Sequence, residues 1–242
     1  MSKTTLDRIL QSQGFGTRKW CRSLIEGGDV RVSGFAAADA DEKLEPEGLE
    51  FTVFGEVWQY RKHVYIALNK PSGFECSRKP SHHPSVLTLL PKQFALRGMQ
   101  PVGRLDHDTT GLLLMSDDGA FIHAQSSPRR HVPKVYIAST QDPVTDALMD
   151  ALLKGVQLHD EPAPLSVQGC RMTGRREMEI TLNQGKYHQV KRMLAAAGNH
   201  CTALSRTRIG GLELDRLDIR EGEWRYLEEA ELALLEHQEL ES

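Results

Sequence analysis

The chain has 242 residues, a formal net charge of −3 at pH 7 and a hydrophobic content of 39%. This composition can supply a buried core, and the length exceeds that of one average domain, so we expect one large and one small domain. The four cysteines are scattered without Cys-x-x-Cys spacing, which argues against a disulfide framework and against a zinc site.

The first residues lack the apolar centre of a signal peptide. No apolar run approaches the roughly 18 residues that span a bilayer. The sequence therefore predicts a soluble, cytoplasmic protein without a membrane partner.

Charge is distributed unevenly along the chain. Residues 1–35 contain six Lys and Arg against three Asp and Glu, and residues 168–211 contain eight against two, whereas 36–62 and 212–242 are acidic. Because charges are screened within roughly 10 Å in physiological salt, the two basic blocks can bind phosphates despite the acidic total. Ordinary solvated surfaces would explain this pattern equally well.

Two short helices and a strand are predicted at the start of the chain. Leu6, Ile9 and Leu10 follow helical spacing, and Thr17 is a suitable N-cap for a second helix. On this second helix we expect apolar and basic residues on opposite faces: Trp20, Cys21, Leu24 and Ile25 against Arg18, Lys19 and Arg22. The alternation Val30-Arg31-Val32 predicts a short strand.

The segment LDRILQSQGFGTRKWCRSLIEGGDVRVSG resembles the S4-type RNA-binding domain. The resemblance implies that residues 1–60 form this small α/β domain. It also implies that the domain contacts RNA phosphates through its basic side chains: Arg8, Arg18, Lys19, Arg22 and Arg31. A helical hairpin with a solvated basic face is the structural alternative.

The acidic segment after residue 36 ends in the alternating FTVFGEVWQY, which predicts a strand pair and a domain boundary near Arg61. Beyond it we expect strands at VYIALNKP, KVYIAST and EMEITLNQ, and an irregular loop around His82-His83. Helices are predicted at DPVTDALMDALLKG, with Asp142 as N-cap, and at HQVKRMLAAAG. Strands separated by helices of uneven length predict an α+β domain over residues 61–242, with a central mixed, largely antiparallel sheet flanked by helices.

The segment GRLDHDTTGLLLMSDDG, Gly103 to Gly119, combines polar groups with the best candidate for a buried strand. A loop braced by such a strand holds reactive groups firmly, because misplacement by about 1 Å can cost roughly 100-fold in rate. In an extended segment Asp106 and Asp108 would point to opposite faces, so we expect different roles for them unless the loop bends. Hydrogen bonding to the loop backbone and a metal-dependent hydrolase site are the alternatives.

The same segment resembles the signature of pseudouridine synthases, in the branch that acts on ribosomal RNA and carries an S4-type domain. NKPSG, KVY and GKYHQVKRM follow in the family's order, and GVQLH and TRIGGLELD are closer to its small-subunit (16S) rRNA enzymes. The resemblance implies site-specific isomerisation of uridine to pseudouridine in 16S rRNA. Action on large-subunit rRNA, or a noncatalytic role in RNA binding or ribosome assembly, remain alternatives.

The resemblance also assigns residues. It implies Asp106 as catalytic nucleophile, Tyr136 as the tyrosine that stacks on the base, and Lys191 as the cation paired with the aspartate. Further substrate or RNA contacts are expected from six residues: Lys70, Arg104, Asp108, Thr109, His188 and Arg192. A core tyrosine and a solvated lysine are the alternatives for Tyr136 and Lys191.

The expected reaction is an isomerisation without redox change, so the sequence predicts no cofactor and no metal. The predicted partner is ribosomal RNA, as free 16S rRNA or in an assembling small subunit. We expect the protein to act as a monomer.

Overall fold

The structure is a computed structural model of the chain, and it describes residues 3–127 and 130–236. The last six residues of the predicted second domain, 237–242, lie outside the described residues. None of the described helices is both long and apolar enough to cross a membrane.

The N-terminal part of the chain contains two helices and six short strands among its described residues. The helices are α1 (Leu6–Ser12) and α2 (Arg18–Glu26), and the strands are β1 (Thr4–Thr5), β2 (Val30–Val32), β3 (Phe35–Ala36), β4 (Lys43–Leu44), β5 (Glu50–Val53) and β6 (Glu56–Gln59). Strands β3, β2, β5 and β6 form an antiparallel sheet in that order. One apolar cluster, centred on the buried Phe51, joins this sheet to both helices.

Most of the predicted N-terminal pattern is confirmed. The side chain of Thr17 accepts a hydrogen bond from the backbone N–H of Trp20 and so caps α2, and Cys21, Leu24 and Ile25 are buried. The placement of Trp20 on the packed face is wrong, because its side chain is 54% exposed. Trp20 lies one residue before the buried stripe, at the helix edge, and the core cluster does not extend that far.

The remaining chain contains the large sheet and the helices that cover it. Its strands are β7 (Tyr65–Lys70), β8 (Gln100–Pro101), β9 (Thr110–Ser116), β10 (Lys134–Thr140), β11 (Gly169–Gly174), β12 (Glu177–Leu182), β13 (Cys201–Ile209), β14 (Leu212–Glu213) and β15 (Trp224–Tyr226). Its helices are α3 (Lys92–Leu96), α4 (Gly119–Ser126), α5 (Asp146–Lys154), α6 (Gln189–Ala196) and α7 (Glu229–Leu234).

Within the described residues these strands form one sheet in the order β11-β12-β10-β13-β9-β7-β15, with β14 beside β13 and β8 beside β9. Strands β9 and β13 pair in parallel, and the other neighbours pair antiparallel. The mixed, largely antiparallel sheet predicted from the sequence is therefore confirmed.

Strand β9 is buried on both faces, as its leucine-rich sequence predicts. Leu113 and Met115 pack into one apolar cluster, whereas Leu112 and Leu114 pack into another on the opposite face. Gly111 allows β9 to approach β13: a Cβ atom there would lie 2.3 Å from the carbonyl oxygen of Arg206, and its φ is +96°. The centre of the sheet is thus a rigid support for the loop that precedes β9.

The predicted start of α5 is wrong. The helix begins at Asp146, and Thr145 is its N-cap, accepting a hydrogen bond from Leu148 N–H. Asp142 is unavailable as N-cap because its backbone N–H and carbonyl both bond the side-chain amide of Asn199. This long-range contact fixes Asp142 outside the helix.

Arg97 connects the N-terminal part of the chain to the large sheet. Its guanidinium donates to the Asp117 carboxylate (2.7 Å), the Gln13 amide oxygen (2.6 Å) and the Arg61 carbonyl (2.8 Å). Gly14 packs beside it, where a Cβ atom would lie 2.1 Å from the Gln93 carbonyl oxygen.

Candidate active site

The loop between β8 and β9 is anchored by a buried lysine. The ammonium of Lys70, at the end of β7, donates to the carbonyl oxygens of Pro71 (2.9 Å), His107 (3.0 Å) and Thr109 (2.8 Å). The Gly73 N–H also donates to the His107 carbonyl, at 2.8 Å. Three of these hydrogen bonds, two from Lys70 and one from Gly73, therefore fix the backbone around His107 to the end of β7 and the chain that follows it.

The prediction that Lys70 contacts RNA is wrong. The residue is 0% exposed, and its ammonium lies against carbonyl oxygens instead of facing solvent. Burial lowers the pKa of Lys70 below its usual value, and the nearby charges of Asp106 and Asp108 partly oppose this shift. The residue positions the loop from below.

Asp106 faces two basic side chains of the helix α6 region. Its Oδ2 lies 3.3 Å from Lys191 Nζ, and its Oδ1 lies 3.2 Å from His188 Nε2. Lys191 lies on the basic face of α6 that does not pack into the core, whereas Val190 and Met193 are buried in the core. One face of α6 thus packs against the core, and the opposite face places the Lys191 ammonium beside Asp106.

Asp106 and Asp108 do not point apart, because the loop is not extended but bends between them, which is the exception allowed in the sequence-based expectation. The Thr109 N–H donates to the Asp106 carbonyl at 3.1 Å, closing a turn through His107 and Asp108. Lys191 Nζ then contacts both carboxylates, at 2.6 Å from Asp108 Oδ1 and 3.3 Å from Asp106 Oδ2. The ammonium therefore bridges the two carboxylates.

The charges of this cluster support one another. Burial alone would lower the pKa of Lys191, but the hydrogen bond to Asp108 and the charges of both aspartates hold that pKa above its usual value. Burial alone would raise the pKa of Asp108, but its hydrogen bond and ion pair with Lys191 lower that pKa below its usual value. Lys191 and Asp108 are therefore both charged near neutral pH.

His188 reaches Asp106 through an unusual backbone conformation. It has a positive φ of 46°, immediately before α6, and its imidazole stacks on the Tyr187 ring at a centroid distance of 3.8 Å. A non-glycine residue in the left-handed region is strained, and such strain is often found at functional sites. The sequence predicted a role for His188 in substrate binding but not its direct contact with Asp106.

Tyr136 lies close to Asp106 in space although it belongs to a central strand. Both residues line a small cleft of about 80 Å³ together with Arg104, Thr109 and His188. Tyr136 is 8% exposed, which is compatible with a ring edge or face opening into this cleft. The buried hydroxyl of Thr109 has no hydrogen-bond partner among the described residues.

Arg192 lies apart from the cleft. Its guanidinium is ion-paired with Asp160 and donates to the Tyr187 carbonyl oxygen at 3.1 Å. The cation is therefore compensated within the protein, and its predicted contact with the substrate stays a prediction.

Arg18 and Arg22 in α2 also have acidic partners. Both donate to the buried Asp7, at 2.7 and 2.8 Å, and Arg22 bonds Asp41 as well. Burial alone would raise the pKa of Asp7, but hydrogen bonds from Thr5, Arg18 and Arg22 lower it to about 2. The remaining predicted basic contacts, Arg8, Lys19 and Arg31, are solvent-exposed.

Two features near the site were not predicted. His83, interpreted from the sequence as loop surface, stacks on His107 at a centroid distance of 4.3 Å. Lys134 and the buried Arg206 line a second cavity beside Tyr136. Both depend on contacts between distant parts of the chain, and no local sequence pattern reveals them.

The chain is similar to known proteins in both sequence and fold. The family described as RNA pseudouridylate synthase matches residues 64–196, which include Asp106, Tyr136 and Lys191. The chain belongs to this family. It is thus an RNA pseudouridine synthase, an enzyme that isomerises uridine to pseudouridine.

Relatives of this synthase extend over nearly its whole length. The ribosomal small subunit pseudouridine synthase A of Escherichia coli strain K12 is 40% identical over 94% of this chain and 98% of its own. An uncharacterised RNA pseudouridine synthase of Bacillus subtilis strain 168 is 35% identical over 95% and 97%. A crystal structure of a pseudouridylate synthase has a TM-score of 0.67 and 32% identity, covering 96% of this chain and 99% of that one.

Replacing Lys70 by methionine tests the anchoring of the loop. Lys70→Met removes the donor shared by three carbonyl oxygens, so we expect kcat for pseudouridine formation to fall about 100-fold while RNA affinity changes less than threefold. Lys154→Met, at an exposed lysine of α5, is the matched control and should change neither quantity. A folded Lys70→Met variant with kcat within twofold of wild type would contradict the positioning role.

Proposed function

We propose that this synthase isomerises one specific uridine to pseudouridine in 16S rRNA of the small ribosomal subunit. The observation that carries the proposal is the Asp106 carboxylate held by Lys191 and His188 in the cleft that Tyr136 lines. The rRNA substrate is supported by the 40% identity to a ribosomal small subunit pseudouridine synthase over nearly the whole chain.

In the proposed reaction Asp106 is the nucleophile. One carboxylate oxygen attacks C1′ of the target ribose, and the electrons of the N1–C1′ bond leave with the uracil. The freed base turns, its C5 attacks C1′, and the bond between C1′ and the Asp106 oxygen breaks. Loss of the proton from C5 and gain of a proton at N1 complete pseudouridine, so the product has the atoms of the starting uridine and the carboxylate is regenerated.

Lys191 and Tyr136 assist this sequence in different ways. Bound substrate excludes water from the cleft, which raises the free-energy cost of keeping the Asp106 carboxylate charged. The Lys191 cation offsets this cost. Tyr136 stacks on the extruded base and assists removal of its C5 proton. Stacking of a base on an aromatic ring contributes roughly 1–3 kcal/mol, which helps to offset the few kcal/mol that extraction from the RNA costs.

We further propose that residues 1–60 form the S4-type RNA-binding domain expected from the sequence. Support comes from the separate apolar cluster around Phe51 and from the exposed cations of Arg8, Lys19 and Arg31. These cations would bind rRNA phosphates. We also propose that the enzyme acts in the cytoplasm as a monomer and without a cofactor.

The activity is tested by mapping pseudouridines in ribosomal RNA from cells with and without this enzyme. We expect one 16S position to lose its pseudouridine in the deletion strain and to regain it with the wild-type enzyme. Asp106→Asn should lower the rate of formation by at least about 10⁴-fold, because the amide is a poor nucleophile, with RNA affinity changed less than threefold.

Asp146→Asn, at an exposed aspartate in the first turn of α5, is the matched control and should restore the modification fully. A large-subunit position that depends on the enzyme would replace the 16S assignment. A pseudouridine map of ribosomal RNA that is the same in both strains would favour the noncatalytic alternative. Normal turnover by Asp106→Asn would refute the assignment of Asp106 as nucleophile.

The N-terminal RNA surface is tested by the salt dependence of RNA binding. The slope of log K against log salt should become shallower by about 0.7 for each phosphate contact that Lys19→Gln and Arg31→Gln remove. Lys154→Gln serves as the control for the loss of one exposed charge. Slopes equal to wild type in both N-terminal variants would show that these residues do not contact RNA.

A further inference from the structure

A second cavity of about 140 Å³ adjoins the catalytic cleft. The two spaces share three lining residues, Arg104, Tyr136 and Gly185, so Tyr136 forms part of the wall between them. We call this space the Lys134–Arg206 cavity after the two cations that line it in addition to Arg104. It has no part in the reaction steps described above.

Lys134 and Arg206 are each held by a backbone carbonyl and not by a carboxylate among the described residues. Lys134 Nζ donates to the Val132 carbonyl at 2.9 Å, and Arg206 Nε donates to the Leu112 carbonyl at 2.8 Å. Neither side chain is ion-paired with a carboxylate in the part of the chain that the structure describes. Burial, together with the charge of Arg206, lowers the pKa of Lys134 to about 8.

Several polar atoms lining the cavity also lack partners. Arg206 is 2% exposed, and its Nη2 makes no hydrogen bond within the described residues. The amide oxygens of Gln125 and Asn183 are likewise buried without donors there. Rotation of either amide by 180° would present its NH₂ group in place of its oxygen. The cavity therefore offers several donors and three cationic side chains, Arg104, Lys134 and Arg206, but no acidic group among its lining residues.

Buried like charges and an unmatched guanidinium N–H are costly unless something binds them. Water would satisfy hydrogen bonds but would leave both charges uncompensated. A phosphate group satisfies both requirements, since its oxygens accept several hydrogen bonds and carry negative charge. RNA carries this group next to every nucleotide, and a nucleotide in the catalytic cleft would place its backbone beside the shared wall at Arg104 and Tyr136.

We propose that the Lys134–Arg206 cavity binds a phosphate group, supplied by a phosphodiester that flanks the uridine in the catalytic cleft. The proposal rests on the proposed function for the identity of the RNA. Binding there would draw the backbone against Tyr136 and would fix the register of the extruded nucleotide.

The test uses the full-length enzyme and RNA in which each phosphate flanking the target uridine is replaced, one at a time, by an uncharged methylphosphonate. For wild-type enzyme we expect one of these replacements to weaken RNA binding about tenfold, because a charge-assisted contact is lost. Lys134→Gln should weaken binding of RNA without methylphosphonate to a similar degree. In this variant the same methylphosphonate should weaken RNA binding by less than a further twofold. Lys154→Gln should leave the tenfold effect intact.

Inorganic phosphate, titrated calorimetrically into the same proteins, distinguishes the source of the anion. Phosphate binding that Lys134→Gln removes, combined with equal sensitivity of wild type and Lys134→Gln to every methylphosphonate, would assign the cavity to free phosphate and overturn the phosphodiester. Binding of RNA and phosphate unaltered in a folded Lys134→Gln variant would overturn the proposal entirely. The phosphate titration needs no turnover, so it remains informative if no uridine is modified.

Discussion

The three hydrogen bonds from the buried Lys70 ammonium are the constraint on which the rest of the site depends. Two of them, to the carbonyls of His107 and Thr109, join the end of β7 to the loop that precedes β9, so that the backbone on either side of Asp108 cannot move independently of the sheet. Strand β9 holds the other end of this loop through its two buried faces. The proposed nucleophile, Asp106, is thereby held on its loop with the precision of a residue on a strand.

The second requirement is electrostatic, and it is met from the far side of the cleft. Lys191 places one ammonium against two carboxylates, and the positive φ of His188 brings an imidazole to the same Asp106. Asp108 competes with Asp106 for the lysine and lies closer to it. In the proposed reaction, movement of Asp106 toward the ribose would leave Lys191 bonded to Asp108, which would keep the cation in place.

Local patterns predicted most of the framework, because strand alternation, Thr17 capping and the leucine run of β9 are set by neighbouring residues. The resemblance to pseudouridine synthases predicted a site made of Asp106, Tyr136 and Lys191. In the structure Asp106 lies 3.3 Å from Lys191 and lines the same cleft as Tyr136. The predictions that were wrong depended on long-range contacts: Asn199 shifted the start of α5, and burial removed Lys70 from solvent. The ion pair between Arg192 and Asp160 was likewise not predictable from local patterns. Sequence shows which residues are charged but not which charges are already paired.

The contact between Lys191 and Asp106 is the central claim, and single-turnover rates of pseudouridine formation at saturating enzyme test it most directly. Lys191→Met should lose about 100-fold or more, because Asp106 would face Asp108 without a cation, whereas Lys191→Arg should stay within about tenfold of wild type. A Lys191→Met enzyme that binds RNA normally and turns over within threefold of wild type would contradict the account.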